Sequence, residues 1–103
     1  MTKICIYGAG AIGGYMAAAL AEAGADVSLI ARGPHLAAIQ QKGLRLQKNG
    51  EAKIYQLTAS DNPADLGPQD YVIIALKANA ISKIIDAMHP LLGPETAVAS
   101  AVN

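Results

Sequence analysis

A chain of 103 residues has the size of one compact domain, not two. Hydrophobic residues make up 52%, but only four side chains are aromatic, all of them Tyr, so any core must be aliphatic. Eight basic and eight acidic side chains cancel, which removes the electrostatic case for a nucleic-acid partner or an acidic membrane surface.

Residues 3 to 7, "KICIY", form a short apolar run that stops at a glycine, as a buried strand does. The run contains the single cysteine, Cys5, which has no internal disulfide partner; this suits a cytoplasmic protein and an inert, packed thiol. The uncharged stretch after Lys3, from residue 4 to 21, imitates a secretory signal. Its middle argues against that reading. Gly8, Gly10, Gly13 and Gly14 would each cost about 1 kcal/mol relative to Ala in an apolar helix. They spoil a membrane span in the same way, and no other stretch is long enough to be one.

From Ile12 the period changes. Ile12, Met16, Ala19, Leu20 and Ala23 fall on one face of a helix that Gly24 ends. Residues 26 to 31, "DVSLIA", read as a second strand, and Gly33–Pro34 opens a second helix that runs to Gly43. The segments 44–48 and 52–57 alternate polar and apolar residues around Asn49–Gly50–Glu51, which predicts a hairpin with one solvated face. "NPADLG" (62–67) predicts a short helical turn capped by Asn62, and "YVIIAL" (71–76) a central strand buried on both faces. A helix is expected from about Ala80 to Met88, and a last strand over 96–102. Strand, helix and strand in alternation with short joints predict an α/β fold, a Rossmann-like parallel sheet with flanking helices and one β-hairpin insertion. The chain stops at Asn103, at the end of a predicted strand where open α/β sheets bind ligands, so a fragment of a longer protein is expected.

The chemistry is concentrated in the glycines. Gly8-Ala9-Gly10-Ala11-Ile12-Gly13 is a G-x-G-x-x-G placed between a predicted strand and a predicted helix, the context a dinucleotide site requires. Gly8 permits the tight turn, Gly10 lets a diphosphate approach the backbone, and Gly13 lets the helix lie close to the strand. Unpaired N–H groups at the helix start then face the anion.

Arg32 stands twenty-four residues after Gly8, close to the roughly 20-residue offset at which such units carry an acid for the ribose 2′-hydroxyl. A carboxylate there would repel a 2′-phosphate, whereas a guanidinium can grip it through two charge-assisted hydrogen bonds. Asp26 lies too early in its strand to take that place, so the residues favour NADP over NAD. Lys77 closes the strand "YVIIAL" at the same sheet edge; it could meet cofactor oxygens or a substrate acid, or simply be a solvated strand-end lysine. His35 and His89 read as helix-surface residues without metal-ligand spacing, and no Ser/His/Asp or Cys/His set is visible.

With these residues placed, the whole chain resembles the N-terminal domain of the ketopantoate reductase (2-dehydropantoate 2-reductase) family. The carriers are "GAGAIGGY", "LIARGPHLAAIQQKGLRL", "DNPADLGPQDYVIIALKA" and the closing "AVN". The first is shared by many dinucleotide enzymes, and the second and third together are more specific. The resemblance implies reduction of a 2-keto acid, ketopantoate, with NADPH in pantothenate synthesis. It implies that Gly8, Ala9, Gly10, Ala11, Ile12 and Gly13 hold the diphosphate, and Arg32 the 2′-phosphate. Lys77 would contact the cofactor, and Asn103 would sit by the nicotinamide ribose and the substrate. The family's Asn is followed by glycine, and here nothing follows Asn103. The family's catalytic lysine and an assisting glutamate lie in a helical second domain. On this reading residues 1–103 are the cofactor domain, no catalytic residue lies in this chain, and the chain alone binds cofactor without turnover. A ligand-sensing Rossmann module without catalysis is the alternative; a methyltransferase is disfavoured because it too wants an acid at the end of the second strand.

Overall fold

The computed structural model describes residues 2–8, 10–76 and 78–100. Five parallel strands form the main sheet, in the order β5-β2-β1-β6-β7. They are β1 (Lys3–Tyr7), β2 (Asp26–Ile30), β5 (Thr58–Ser60), β6 (Gln69–Ile74) and β7 (Leu92–Ser100). Helices α1 (Ala11–Glu22), α2 (Gly33–Lys42) and α3 (Ala78–Ile84) connect them, and a separate antiparallel hairpin, β3 (Leu44–Lys48) and β4 (Glu51–Tyr55), is inserted after α2. The α/β class and the hairpin insertion expected from the sequence are both present. No helix among the described residues is long and apolar enough to cross a membrane.

The alternation of a strand explains the two layers that cover the sheet. Ile4 and Ile6 of β1, with Val27 and Leu29 of β2, pack against Ala17 and Ala18 of α1 and Leu36 and Ile39 of α2. The intervening Cys5, Tyr7 and Ile30 face the other way, with Val72 and Ile74 of β6, towards Ile81 and Ile84 of α3 and the segment carrying Met88 and Leu91. The chain thus leaves β1 in opposite directions, to β2 and β5 on one side and to β6 and β7 on the other. Such a switch opens a crevice at the carboxyl ends of the strands.

Helix α1 differs from its expected orientation. Ile12 is 48% exposed, and Ala19 and Ala23 also face solvent; the buried face carries Gly13, Gly14, Ala17 and Ala18, with Met16 and Leu20 flanking it. The reason is distance. A Cβ on Gly13 would lie 2.0 Å from the Gly8 carbonyl oxygen, so the helix is too close to the sheet for any but small residues to face it. Bulk goes to the sides.

The hairpin turn is as expected: Asn49 and Gly50 both have positive φ, +54° and +79°, the pattern of a two-residue type I′ turn. Its second strand ends at Tyr55, earlier than the alternation suggested, and the chain then enters the main sheet as β5, a strand too short and too polar to stand out in the sequence. Asn62 Oδ1 accepts the Ala64 N–H at 3.2 Å and caps the 3₁₀ turn Pro63–Asp65. Helix α3 is shorter than expected and gives way to turns before Met88, and β7 begins at Leu92 rather than 96.

Candidate functional site

The glycine segment leaves the sheet between its two central neighbours. Gly8 N–H still donates to the Ile30 carbonyl at 2.9 Å, and Ala75 N–H donates to the Tyr7 carbonyl at 2.9 Å; beyond them the chain turns away from the sheet. Gly8 does so with φ +108°, and a Cβ there would come within 2.7 Å of Leu76 Cδ2 and 3.0 Å of the Ala75 oxygen. No side chain is tolerated at either Gly8 or Gly13 without displacement. Above Gly10, by contrast, nothing lies within 4 Å of where a Cβ would stand, which leaves the backbone open to a ligand.

Gly10 is the N-cap of α1 and offers no side-chain hydrogen bond, and the first turn of the helix carries no acidic residue. Its first N–H groups therefore have neither an intrahelical acceptor nor a neighbouring carboxylate. Ala11, Ile12 and Gly13 form that first turn. A twelve-residue helix so begun presents the positive end of its dipole and its free N–H groups, the arrangement that suits an anion.

Arg32 is brought to the same place by β2. It is the N-cap of α2, in extended backbone, followed by Gly33 at φ +66° and by Pro34 in the first turn. The guanidinium belongs to an exposed residue and has no salt bridge among the described residues. Asp26 opens β2 opposite Lys3, at the far edge of the sheet, as its place in the strand suggested.

These parts meet in one cleft of about 540 Å³, a volume usual for a small-ligand site. Gly8, Gly10 and Arg32 line it; its apolar lining comes from Tyr7, Ile30 and Ala31 at the ends of β1 and β2 and from Leu76, Ala80 and Ile84 after β6. His35, Asp61 and Lys83 supply further polar groups. Asp61 follows Ser60, whose carbonyl accepts the Ala31 N–H at 3.0 Å, so the end of β5 is tied to the end of β2. Ser60 Oγ in turn donates to Asp65 Oδ2 at 2.7 Å and accepts the Asn62 N–H at 3.0 Å, which fixes the turn that carries Asp61.

No motif or spacing in the sequence marks Tyr7, Asp61 or Lys83 as site residues, and His35 reads there as plain helix surface. Tyr7 was discoverable only by knowing which way β1 faces; Lys83 shares the cleft face of α3 with Ala80 and Ile84 at helical spacing. Ala9, Lys77 and Asn103 lie outside the described residues, as do their contacts. Cys5 is fully buried and its thiol is pushed up to about 12 by burial, which leaves it without nucleophilic use. No cluster of potential metal ligands occurs among the described residues.

Comparison with known proteins places this geometry. The model of the ketopantoate reductase PanE/ApbA family matches residues 4–103. The chain is 51% identical to a 2-dehydropantoate 2-reductase of Mesorhizobium japonicum over 98% of its own length and 31% of that protein's. It is 37% identical to a 2-dehydropantoate 2-reductase of Pyrococcus abyssi, over 88% of this chain and 30% of the other. Among solved structures it superimposes on a PanE/ApbA family ketopantoate reductase from Ralstonia eutropha with a TM-score of 0.90 at 36% identity, covering 99% of this chain and 34% of that one. A D-mandelate dehydrogenase solved with NADH and anilino(oxo)acetate matches with a TM-score of 0.89 at 28% identity, over 99% of this chain and 33% of that one. The chain spans about a third of the length of the curated relatives it matches. With the match running almost from end to end, the chain belongs to the ketopantoate reductase PanE/ApbA family.

Proposed function

We propose that this chain is the NADP(H)-binding domain of a cytoplasmic oxidoreductase that reduces a 2-keto acid, ketopantoate first among the candidates, within pantothenate synthesis. The observation that carries the cofactor is Arg32, which stands at the carboxyl end of β2, in one cleft with Gly8 and Gly10. On this reading the segment Gly8 to Gly13 holds the diphosphate, and Arg32 binds the 2′-phosphate. Lys77 contacts the cofactor, and Asn103 serves the nicotinamide ribose and the substrate. A reduced nicotinamide bound there supplies a hydride for the keto carbon. The work of this chain is to bind and orient; proton delivery to the keto oxygen belongs to a lysine of a helical second domain, assisted by a glutamate.

The D-mandelate dehydrogenase neighbour, solved with NADH and anilino(oxo)acetate, supports a second reading, in which this fold takes NADH and acts on another acid. The residue at the end of β2 separates the two, because an arginine there favours a phosphate over a hydroxyl. Isothermal titration of NADPH and NADH against the wild type, Arg32→Ala and Arg32→Asp tests it. A charge-assisted contact of roughly 1.5–3 kcal/mol makes the expected loss for NADPH in Arg32→Ala about tenfold to a hundredfold, with NADH unaffected. Arg32→Asp is expected to invert the preference. Equal losses for both cofactors would mean that Arg32 only supports its loop, and the NADP assignment would fall.

A further inference from the structure

Besides His35, Asp61 and Lys83, the cleft contains a polar residue that comes from the central strand itself. Tyr7 is the last residue of β1, paired in register with Ile30 on one side and Ile74 on the other. The residue is only 8% exposed, yet it lines the cleft with Gly8. Among the described residues no group is hydrogen-bonded to its hydroxyl. Burial raises its pKa, the buried Cys5 adds to the rise, and Arg32 opposes it from close enough to be felt. The phenol therefore remains protonated at neutral pH and keeps both a donor and an acceptor. The sealed, unpartnered side-chain atom among the described residues is Gln69 Oε1, in another part of the sheet; the Tyr7 oxygen opens to the cleft instead.

A strand residue facing this interior would ordinarily be aliphatic, as Ile30 and Ile74 beside it are. A phenol spends its ring on the same packing and adds an oxygen that the protein leaves without a partner. Such a group is matched when a ligand supplies the partner, and a site built this way rejects ligands that lack it. Ile30, Ala31, Leu76, Ala80 and Ile84 line the same cleft and give it the apolar surface that a flat ring needs, with Lys83 the one cation of α3 among the lining residues. We propose that the Tyr7 hydroxyl hydrogen-bonds the adenosine half of the dinucleotide, the part common to NADP(H) and NAD(H), while Arg32 alone reads the 2′-phosphate. This rests on the cofactor reading above and assigns the base-and-ribose end of the same site.

The test is Tyr7→Phe, which keeps the ring and removes only the oxygen. NADPH, NADH and adenosine 2′,5′-bisphosphate are titrated against it and the wild type, and the Tm of both unliganded proteins is measured. The expected result is a loss of about two- to tenfold for all three ligands, the range of a neutral hydrogen bond, with an unliganded Tm equal to or above that of the wild type. Unchanged affinities would overturn the proposal. A loss confined to NADPH and the bisphosphate would also overturn it, by assigning the hydroxyl to the phosphate. So would a lower Tm without ligand, which would show that the oxygen is held within the protein. Failure of the wild type to bind any of the three would instead remove the cofactor reading itself.

Discussion

On β1, Ile4 and Ile6 turn towards α1 and α2, whereas Cys5 and Tyr7 turn towards α3. The first face is closed. Its cluster of buried residues is wholly aliphatic and lies under two helices of 12 and 10 residues, with Leu44 of the hairpin completing the cover. The second face lies under a helix of only 7 residues, and it holds the two buried heteroatom-bearing side chains of β1, Cys5 and Tyr7. A shorter lid leaves the carboxyl ends of the strands open, and the cleft is what it leaves. Alternate residues of one strand thus divide the labour: one set packs the closed core, and the other ends, at Tyr7, in the cleft. Changes on the closed face should cost stability without altering cofactor binding, whereas Tyr7→Phe should weaken both cofactors alike and Arg32→Ala should alter the choice between them, neither at a cost in stability.

The sharpest way to break this division is Leu29→Ala. Leu29 is fully buried on the closed face, and truncation leaves a cavity costing about 2–5 kcal/mol. That is a large share of the roughly 5–15 kcal/mol that holds a domain of this size folded. Urea denaturation is expected to show the loss, while the fraction still folded keeps its ratio of NADPH to NADH affinity. A changed ratio would mean the two faces are coupled.

Cys5 probes the other face without touching the cleft. Its thiol is pushed from 9.0 to about 12 by burial, so the native state holds its proton more tightly than the unfolded chain does. The stabilisation is complete below the unfolded value and is lost as pH rises from about 9 towards 12. Denaturation of the wild type against Cys5→Ala is expected to show a difference of roughly 1 kcal/mol opening between pH 8 and pH 10. A thiol reagent should label the protein at neutral pH only when it unfolds; prompt labelling of the native protein would contradict the packing described.

The smallest effect belongs to the outer side of the closed face. Lys53 Nζ lies 2.9 Å from Glu22 Oε1, and the Tyr55 hydroxyl donates to the same oxygen, tying the hairpin to the end of α1. Both charged side chains are well exposed, so water and salt screen the pair. Lys53→Ala is expected to lower Tm slightly at low ionic strength and not at all in molar salt. A loss that survives salt would mean that packing of the lysine stem, not charge, secures the hairpin.

Much of this protein is written locally in its sequence. The glycine turn, the Asn49–Gly50 hairpin and the arginine at the end of β2 depend on neighbours a few residues away, and each stands where the sequence put it. The buried face of α1 did not follow from its pattern of large apolar residues, because the separation of helix and sheet, set by Gly8 against Gly13, selects small residues for the interface. β5 was hidden for a related reason: three residues become a strand only because the edge of β2 is there to pair with them. Tyr7, Asp61 and Lys83 come from three separate elements, and nothing in their spacing joins them. Which side of a strand meets which helix is decided by the crossovers of the whole sheet, and alternation alone is silent on it. The sequence by itself determined most of the elements, the family and the glycine turn that opens α1, since short-range backbone sterics decide those. Tertiary structure alone decided which residues share the cleft, since that depends on contacts between elements far apart in the chain.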